Sequence, residues 1–314
     1  MTTNLAASVH ARLAHQAKAT RRPLQDVLQH YGVERLLYRL ASSPHQNCFL
    51  LKGALLLQAW GAQASRPTRD IDLLGDTPND VATLERTFRE VCQAIVPEDG
   101  LRFDVSTVSG SSIKEDAKYQ SIRLTFTTFL QKARIPIQLD IGFGDVVNPA
   151  AQERDYPTLL DFPPPRLRMY PKETVVAEKF ETLVQLGSAN TRMKDFYDLW
   201  LLSSQFDFSG AELAQAVQRT FENRGTKLEL EPIALTPAFT DRDSVQMQWT
   251  AFVKRSSLEH APRTVEETRE PLRRFLLPIA TAVLTGSPFN EHWGPFGPWH
   301  NGLPDGTTRP SSTT

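Results

Sequence analysis

The run Phe49-Leu50-Leu51-Lys52-Gly53-Ala54-Leu55-Leu56-Leu57, followed by Arg66-Pro67-Thr68-Arg69-Asp70-Ile71-Asp72-Leu73-Leu74, narrows the folds open to this chain more than any other stretch. It reads as a strand, a glycine turn, a helix and a second strand bearing two aspartates. Alternate side chains of an extended strand share a face, so Asp70 and Asp72 point one way while Ile71 and Leu73 enter the apolar side. A hard divalent cation takes oxygen ligands, commonly one or two carboxylates with phosphates and waters, so the pair points to phosphate chemistry. Gly53 supports that reading. A glycine where strand becomes helix lets backbone N–H groups approach a phosphate, and the following helix, Ala54 to Trp60, has its positive end there. Taken alone, an Asp-x-Asp pair is equally served by a solvated turn or a helix cap.

A third carboxylate is available at Asp140. In Ile135-Pro136-Ile137-Gln138-Leu139-Asp140-Ile141-Gly142-Phe143 the apolar residues alternate strictly, which buries one face of a strand and turns Gln138 and Asp140 to the other. If this strand pairs with the Asp70–Asp72 strand, three carboxylates gather, and their repulsion is most simply relieved by a cation. If the strands are not neighbours, Asp140 faces water.

These elements resemble the DNA polymerase β-like nucleotidyltransferase superfamily, whose pattern is a Gly-Ser or Gly-Gly turn, a helix, Asp-x-Asp on a strand and a later strand aspartate. More narrowly, the chain resembles the AbiEii/AbiGii-type nucleotidyltransferase toxins, of which the MenT toxins are relatives. The resemblance rests on Arg35-Leu36-Leu37-Tyr38-Arg39-Leu40, Phe49 to Ala54, Arg69-Asp70-Ile71-Asp72-Leu73 and Gln138-Leu139-Asp140-Ile141. It continues through Ala177-Glu178-Lys179-Phe180-Glu181, Lys194-Asp195-Phe196-Tyr197-Asp198-Leu199, Gln248 to Phe252 and Arg274 to Pro278, and so spans residues 20 to 285. Ala54 departs from the pattern: it stands where the superfamily has Ser or Gly, leaving backbone amides without a hydroxyl to hold a triphosphate.

The resemblance implies an α/β nucleotidyltransferase fold with a mixed sheet, plus a helical C-terminal domain closing the cleft. It implies Lys179 in the active site, where a lysine could neutralise β- and γ-phosphates as a point charge. From the residues alone, Lys179 is a solvated partner of Glu178 or Glu181. It also implies that Asp195 and Asp198, three apart and on one helix face, belong to the site, although Asp195 could cap its helix and Asp198 could pair with Lys194. The expected reaction is attack of an RNA 3′-OH on the α-phosphate of an NTP, with Asp70, Asp72 and Asp140 holding Mg²⁺ (or Mn²⁺) and with Gly53 and Ala54 cradling phosphate. Lys52, Arg66, Arg69 and Lys179 are charge-neutralising candidates, Arg66 and Arg69 also being free to pair with an aspartate. The implied biological role is a toxin acting on tRNA acceptor ends, encoded beside an antitoxin in a toxin–antitoxin or phage-defence pair. A small-molecule or protein hydroxyl as acceptor, or a catalytically silent nucleotide- or RNA-binding relative, are the alternatives.

Composition sets limits. The 314 residues, 40% hydrophobic and 23% charged, suffice for two packed units. A net charge of −1 argues against a general nucleic-acid binder, so RNA contacts must come from local patches: Lys114, Lys118, Arg123, Lys132 and Arg134, then Arg166, Arg168 and Lys172, then Arg192 and Lys194. Cys48 and Cys92 make no disulfide framework, and no apolar run is long enough to span a membrane, so a soluble, cytoplasmic chain is expected. None of the seven histidines has metal-ligand spacing or a nucleophile partner.

Periodicity predicts helices over 4–18, 23–41 and 79–94, strands over 101–108, 119–126 and 135–142, and helices over 172–187, 193–205, 209–224, 243–255 and 264–284. Pro163-Pro164-Pro165 is the expected linker between a nucleotidyltransferase domain at 1–162 and a helical domain at 166–286. The remainder, 287–314, reads as a partly disordered tail in which Trp293, Phe296 and Trp299 could dock.

Overall fold

Ile135, Ile137, Leu139 and Ile141 are at most 1% exposed, and the residues between them are not buried. That period of two makes Ala133–Gly142 the strand around which the first half of the chain is organised. The computed structural model describes residues 4–64, 66–116 and 119–302. In order it contains α1 (Leu5–Ala19), α2 (Leu24–Ala41), β1 (Phe49–Lys52), α3 (Leu55–Ala59), β2 (Asp70–Gly75), α4 (Val81–Cys92), β3 (Leu101–Asp116), β4 (Tyr119–Leu130), β5 (Ala133–Gly142), β6 (Gln152–Asp155) and β7 (Arg166–Met169). Then follow α5 (Lys172–Leu186), α6 (Met193–Gln205), β8 (Phe208–Ser209), α7 (Gly210–Arg224), α8 (Pro237–Thr240), α9 (Asp243–Arg255), α10 (Glu266–Thr285), β9 (His292–Trp293) and β10 (Trp299–His300).

Two compact units emerge. Unit 1 comprises 1–61, 67–145 and 151–170. Its seven strands run β3-β4-β5-β2-β1-β7-β6; β2 is parallel to β5 and β1 to β7, and the other pairs are antiparallel, so the sheet is mixed. Helix α2 packs against β5 and α4 against β3. The arginines of the Arg35-to-Leu40 motif are structural: Arg35 and Arg39 are buried, and Arg39 donates to both carboxylate oxygens of Asp99. Buried ions demand such pairing, because an unpaired charge there costs several kcal/mol, on the order of 3–5. Asp80 caps α4 by accepting from the Thr83 N–H at 2.7 Å.

Unit 2 comprises 62–66, 146–150 and the chain from Pro171 onward. Here α5 packs on α6 and α7, and α10 on α6 and α7, around Phe180, Phe196, Leu199, Phe221, Phe275 and Leu276. The aromatic part of the tail does dock. Trp293 is buried with its Nε1–H donating to Ser203 O at 2.7 Å, Trp299 donates to Phe275 O at 3.0 Å, and β8, β9 and β10 form a small antiparallel sheet; Phe296 stays exposed. Residues 303–314 lie outside the described residues.

The unit boundaries differ from the expected proline linker. After the three prolines the chain returns to the sheet as β7, beside β1, and leaves unit 1 only at Pro171. Three prolines stop a helix or a central strand, but they do not prevent a short strand from starting beyond them. β6 was not foreseen either: its four residues, Gln152 to Asp155, are all exposed and carry no alternation.

Candidate active site

One level of the unit 1 sheet carries a row of four charged residues across four strands. Lys52 of β1 is in register with Asp72 of β2, Asp72 with Asp140 of β5, and Asp140 with Arg123 of β4. Residues directly opposite in neighbouring strands project to the same face, so the row reads cation, anion, anion, cation. Asp70, two positions from Asp72, shares that face and stands opposite Gln138. The adjacency of the two acidic strands is therefore present, in parallel register.

The row changes how the acids are compensated. Arg123 Nε and Nη2 donate to the two oxygens of Asp140, both at 2.7 Å, a bidentate charge-assisted pair. Lys52 Nζ lies 2.6 Å from Asp145 Oδ2 and 5.3 Å from the Tyr170 ring centroid. Among the described residues, no three His, Cys, Asp or Glu side chains stand close enough together to hold a metal ion. Asp70, Asp72 and Asp140 do not form such a group, and Asp140 is paired with Arg123. The donor chemistry still fits a hard cation, with carboxylates of Asp70, Asp72 and Asp140 on one face of adjoining strands.

The turn after β1 presses directly on this row. Gly53 has φ +74°, and a Cβ added there would overlap the Asp72 carboxylate. Helix α3 is only five residues long, shorter than expected, so its dipole contributes little and close backbone approach is the stronger reason for the glycine. Ala54 is buried at the helix start and gives no side-chain cap. Gly53→Ala should therefore act on the site more than on the fold. The left-handed backbone costs about 1–2 kcal/mol, whereas displacing Asp72 should lower turnover by roughly 100-fold, about 2.7 kcal/mol. Thermal melting and turnover measured on the same preparation check this; equal turnover at reduced stability would make Gly53 a purely structural residue.

The second set of expected site residues lies in unit 2. Lys179 on α5 sits 2.6 Å from Asp195 Oδ1 and 2.8 Å from Asp198 Oδ2 of α6, and its side chain is 15% exposed. Arg66, on the segment that unit 2 takes from the N-terminal half, donates to Asp198 through Nε (2.9 Å) and Nη2 (3.1 Å). Arg192 Nε approaches Asp195 Oδ2 to 2.8 Å at an angle that makes no hydrogen bond. Burial alone would raise both carboxyl pKa values, but the nearby cations win: Lys179 and Arg192 hold Asp195 below the usual carboxylate range, and Arg66 with Lys179 hold Asp198 at about 2. Burial would lower Lys179 in turn, yet Asp195 and Asp198 raise it.

Several local readings give way here. Lys179 is no solvated partner of Glu178 or Glu181; Glu181 is buried against Arg224 and Thr226. Asp195 does not cap α6, and the partners of Asp198 are Arg66 and Lys179. Arg69 pairs with Asp26 of α2 at 2.9 Å and is mostly exposed. Of the basic patches, Arg123 is bound to Asp140, Arg166 to Asp155 and Glu153, and Arg192 to Asp195, while the side chains of Lys114 and Lys118 lie outside the described residues. Arg123, expected as part of a basic patch, and Asp145, not singled out by any motif, are the charged residues that the fold adds to the row and its surroundings. The alternation of Arg123 with Ile122 and Leu124 was the available signal for Arg123's face.

Residues 35–271 match the family described as the nucleotidyl transferase AbiEii toxin of a type IV toxin–antitoxin system. No curated protein matches the chain. Two crystal structures from Helicobacter pylori align with it. JHP933 is 18% identical over 80% of this chain and 90% of its own, with a TM-score of 0.45. A candidate nucleotidyltransferase is 19% identical over 81% and 95%, with a TM-score of 0.43.

Proposed function

The chain belongs to the AbiEii nucleotidyltransferase toxin family of type IV toxin–antitoxin systems, and from that premise we propose that it transfers NMP from an NTP to an RNA 3′-OH, at the acceptor end of tRNA, under control of an antitoxin encoded beside it. The observation that carries the reading is the charged row Lys52, Asp72, Asp140 and Arg123, with Asp70 beside it. In the reaction the 3′-oxygen bonds to the α-phosphorus while the bond from that phosphorus to the bridging oxygen breaks. Pyrophosphate leaves with the electron pair and the hydroxyl proton passes to solvent.

Asp70, Asp72 and Asp140 would hold the divalent cation, Mg²⁺ by the hardness of their oxygens, which supplies charge neutralisation and a lowered pKa for the attacking hydroxyl. The protein's own part is positional. The sheet fixes the carboxylates, Gly53 brings backbone close to Asp72, and Lys52 places a cation on the same level for the triphosphate. Arg123 orients Asp140. Within unit 2, Lys179 and Arg66 are the cations suited to phosphate oxygens, and Asp195 and Asp198 hold them in place.

The test incubates purified protein with total RNA, Mg²⁺ and each labelled NTP in turn. Label is expected at RNA 3′ ends with release of pyrophosphate. Label on a small hydroxylated acceptor or a protein instead would replace the RNA reading, and transfer to no acceptor from any NTP would end it.

A further inference from the structure

Next to the charged row, unit 1 contains a cavity of about 400 Å³, within the range of ligand pockets, ~300–1,000 Å³. Asp70 lines it, together with Arg69, Gln138 and Arg134 of the sheet side and Gln25 and Gln29 of α2. The two α2 glutamines are four apart and so lie on one helix face. Arg134 and Gln138 share the β5 face of Asp140, whereas Phe126, Ile137 and the α2 glutamines come from the side on which α2 packs, so the cavity lies at the end of β2 where Asp70 begins the strand. Gln29 donates to Pro136 O at 2.6 Å, which fixes its amide against β5.

The sheet order gives this cavity a side. β2, with Asp70 and Asp72, lies between β1 and β5. Lys52 and the Gly53 turn are on the β1 flank; the cavity is on the β5–β4 flank. In phosphoryl transfer the attacking and leaving oxygens are roughly in line on opposite sides of the phosphorus. With the triphosphate on the β1 flank, the attacking hydroxyl enters from the β5 flank. Glutamine amides donate and accept, as recognition of an unpaired base edge requires, and arginine binds the flanking phosphate.

We infer that this cavity receives the 3′-terminal nucleoside of the RNA acceptor, with Gln25, Gln29 and Gln138 reading the base and Arg134 holding the adjoining phosphate. The inference rests on the nucleotidyl-transfer reading and adds where, and through which residues, the acceptor docks.

Fluorescence anisotropy with a labelled hairpin RNA bearing a short single-stranded 3′ end tests it without turnover. Gln25→Ala and Arg134→Ala, both at exposed positions and neutral to the fold, and Gln29→Leu should each raise the RNA Kd about tenfold. Binding of a labelled NTP should stay within about twofold of wild type. Removing the single-stranded 3′ end from the RNA should weaken binding similarly and abolish the difference between wild type and variants. Unchanged RNA binding in Gln25→Ala and Arg134→Ala overturns the inference. So does weaker NTP binding with RNA binding intact, which would make the cavity the base site of the incoming nucleotide. Failure of the wild type to transfer NMP to any acceptor is a separate result and strikes the underlying reading instead.

Discussion

Asp72→Ala is expected to reduce NMP transfer by at least about 10³-fold, on the order of 4 kcal/mol of lost transition-state stabilisation, and to relieve growth inhibition. The fold should be spared, with a stability change within about 0.5 kcal/mol. Asp72 is at the centre of the row, against the Gly53 turn, between Lys52 and Asp140. Its removal takes one carboxylate from a face that keeps Asp70 and Asp140, and leaves Lys52 paired with Asp145 and Asp140 with Arg123. Transfer assays and thermal melts of the same preparation separate the two effects. A variant that still released pyrophosphate in the presence of RNA would remove Asp72 from the reaction.

Lys179→Met should behave in the opposite way towards the fold. It removes the cation shared by two buried aspartates, Asp195 and Asp198, and breaking a buried pair from one side costs about 3 kcal/mol. That corresponds to roughly 6–12 °C in Tm for a unit of this size. The penalty is moderated because Arg66 and Arg192 remain. The wild type carries the same dependence in its acid limb. Asp198 is held at about 2, below its ordinary value near 3.8, so the stability it contributes is present above that ordinary value and is lost as pH falls through about 2. In Lys179→Met the depression shrinks, and acid unfolding should begin at higher pH. Melts recorded from pH 2 to pH 6 test both parts; an unchanged Tm at neutral pH would show that the aspartates do not depend on the lysine.

Local patterns along the chain are enough to define most helices and strands and the faces they present. Strict alternation located β5 and its exposed Asp140, and the Ile71 and Leu73 pattern turned Asp70 and Asp72 to the same kind of face. Apolar stripes located α2, α5, α6, α7, α9 and α10 to within one or two residues. These signals are local, since a period of two or of 3.6 is written within a single element. Tertiary structure alone decided the partners. Register across β1, β2, β5 and β4 is a property of hydrogen bonds between distant segments, and it set Lys52 and Arg123 at the two ends of the acidic row. Arg66 lies four residues before Asp70 in the chain yet belongs to unit 2, where it binds Asp198. β7 passes the three prolines to rejoin the sheet because its partner β1, far away in sequence, offers it an open edge. Ion pairing followed the same rule: charged residues carry no periodicity that names a partner, and which cation meets which carboxylate depended on how the strands and helices were brought together.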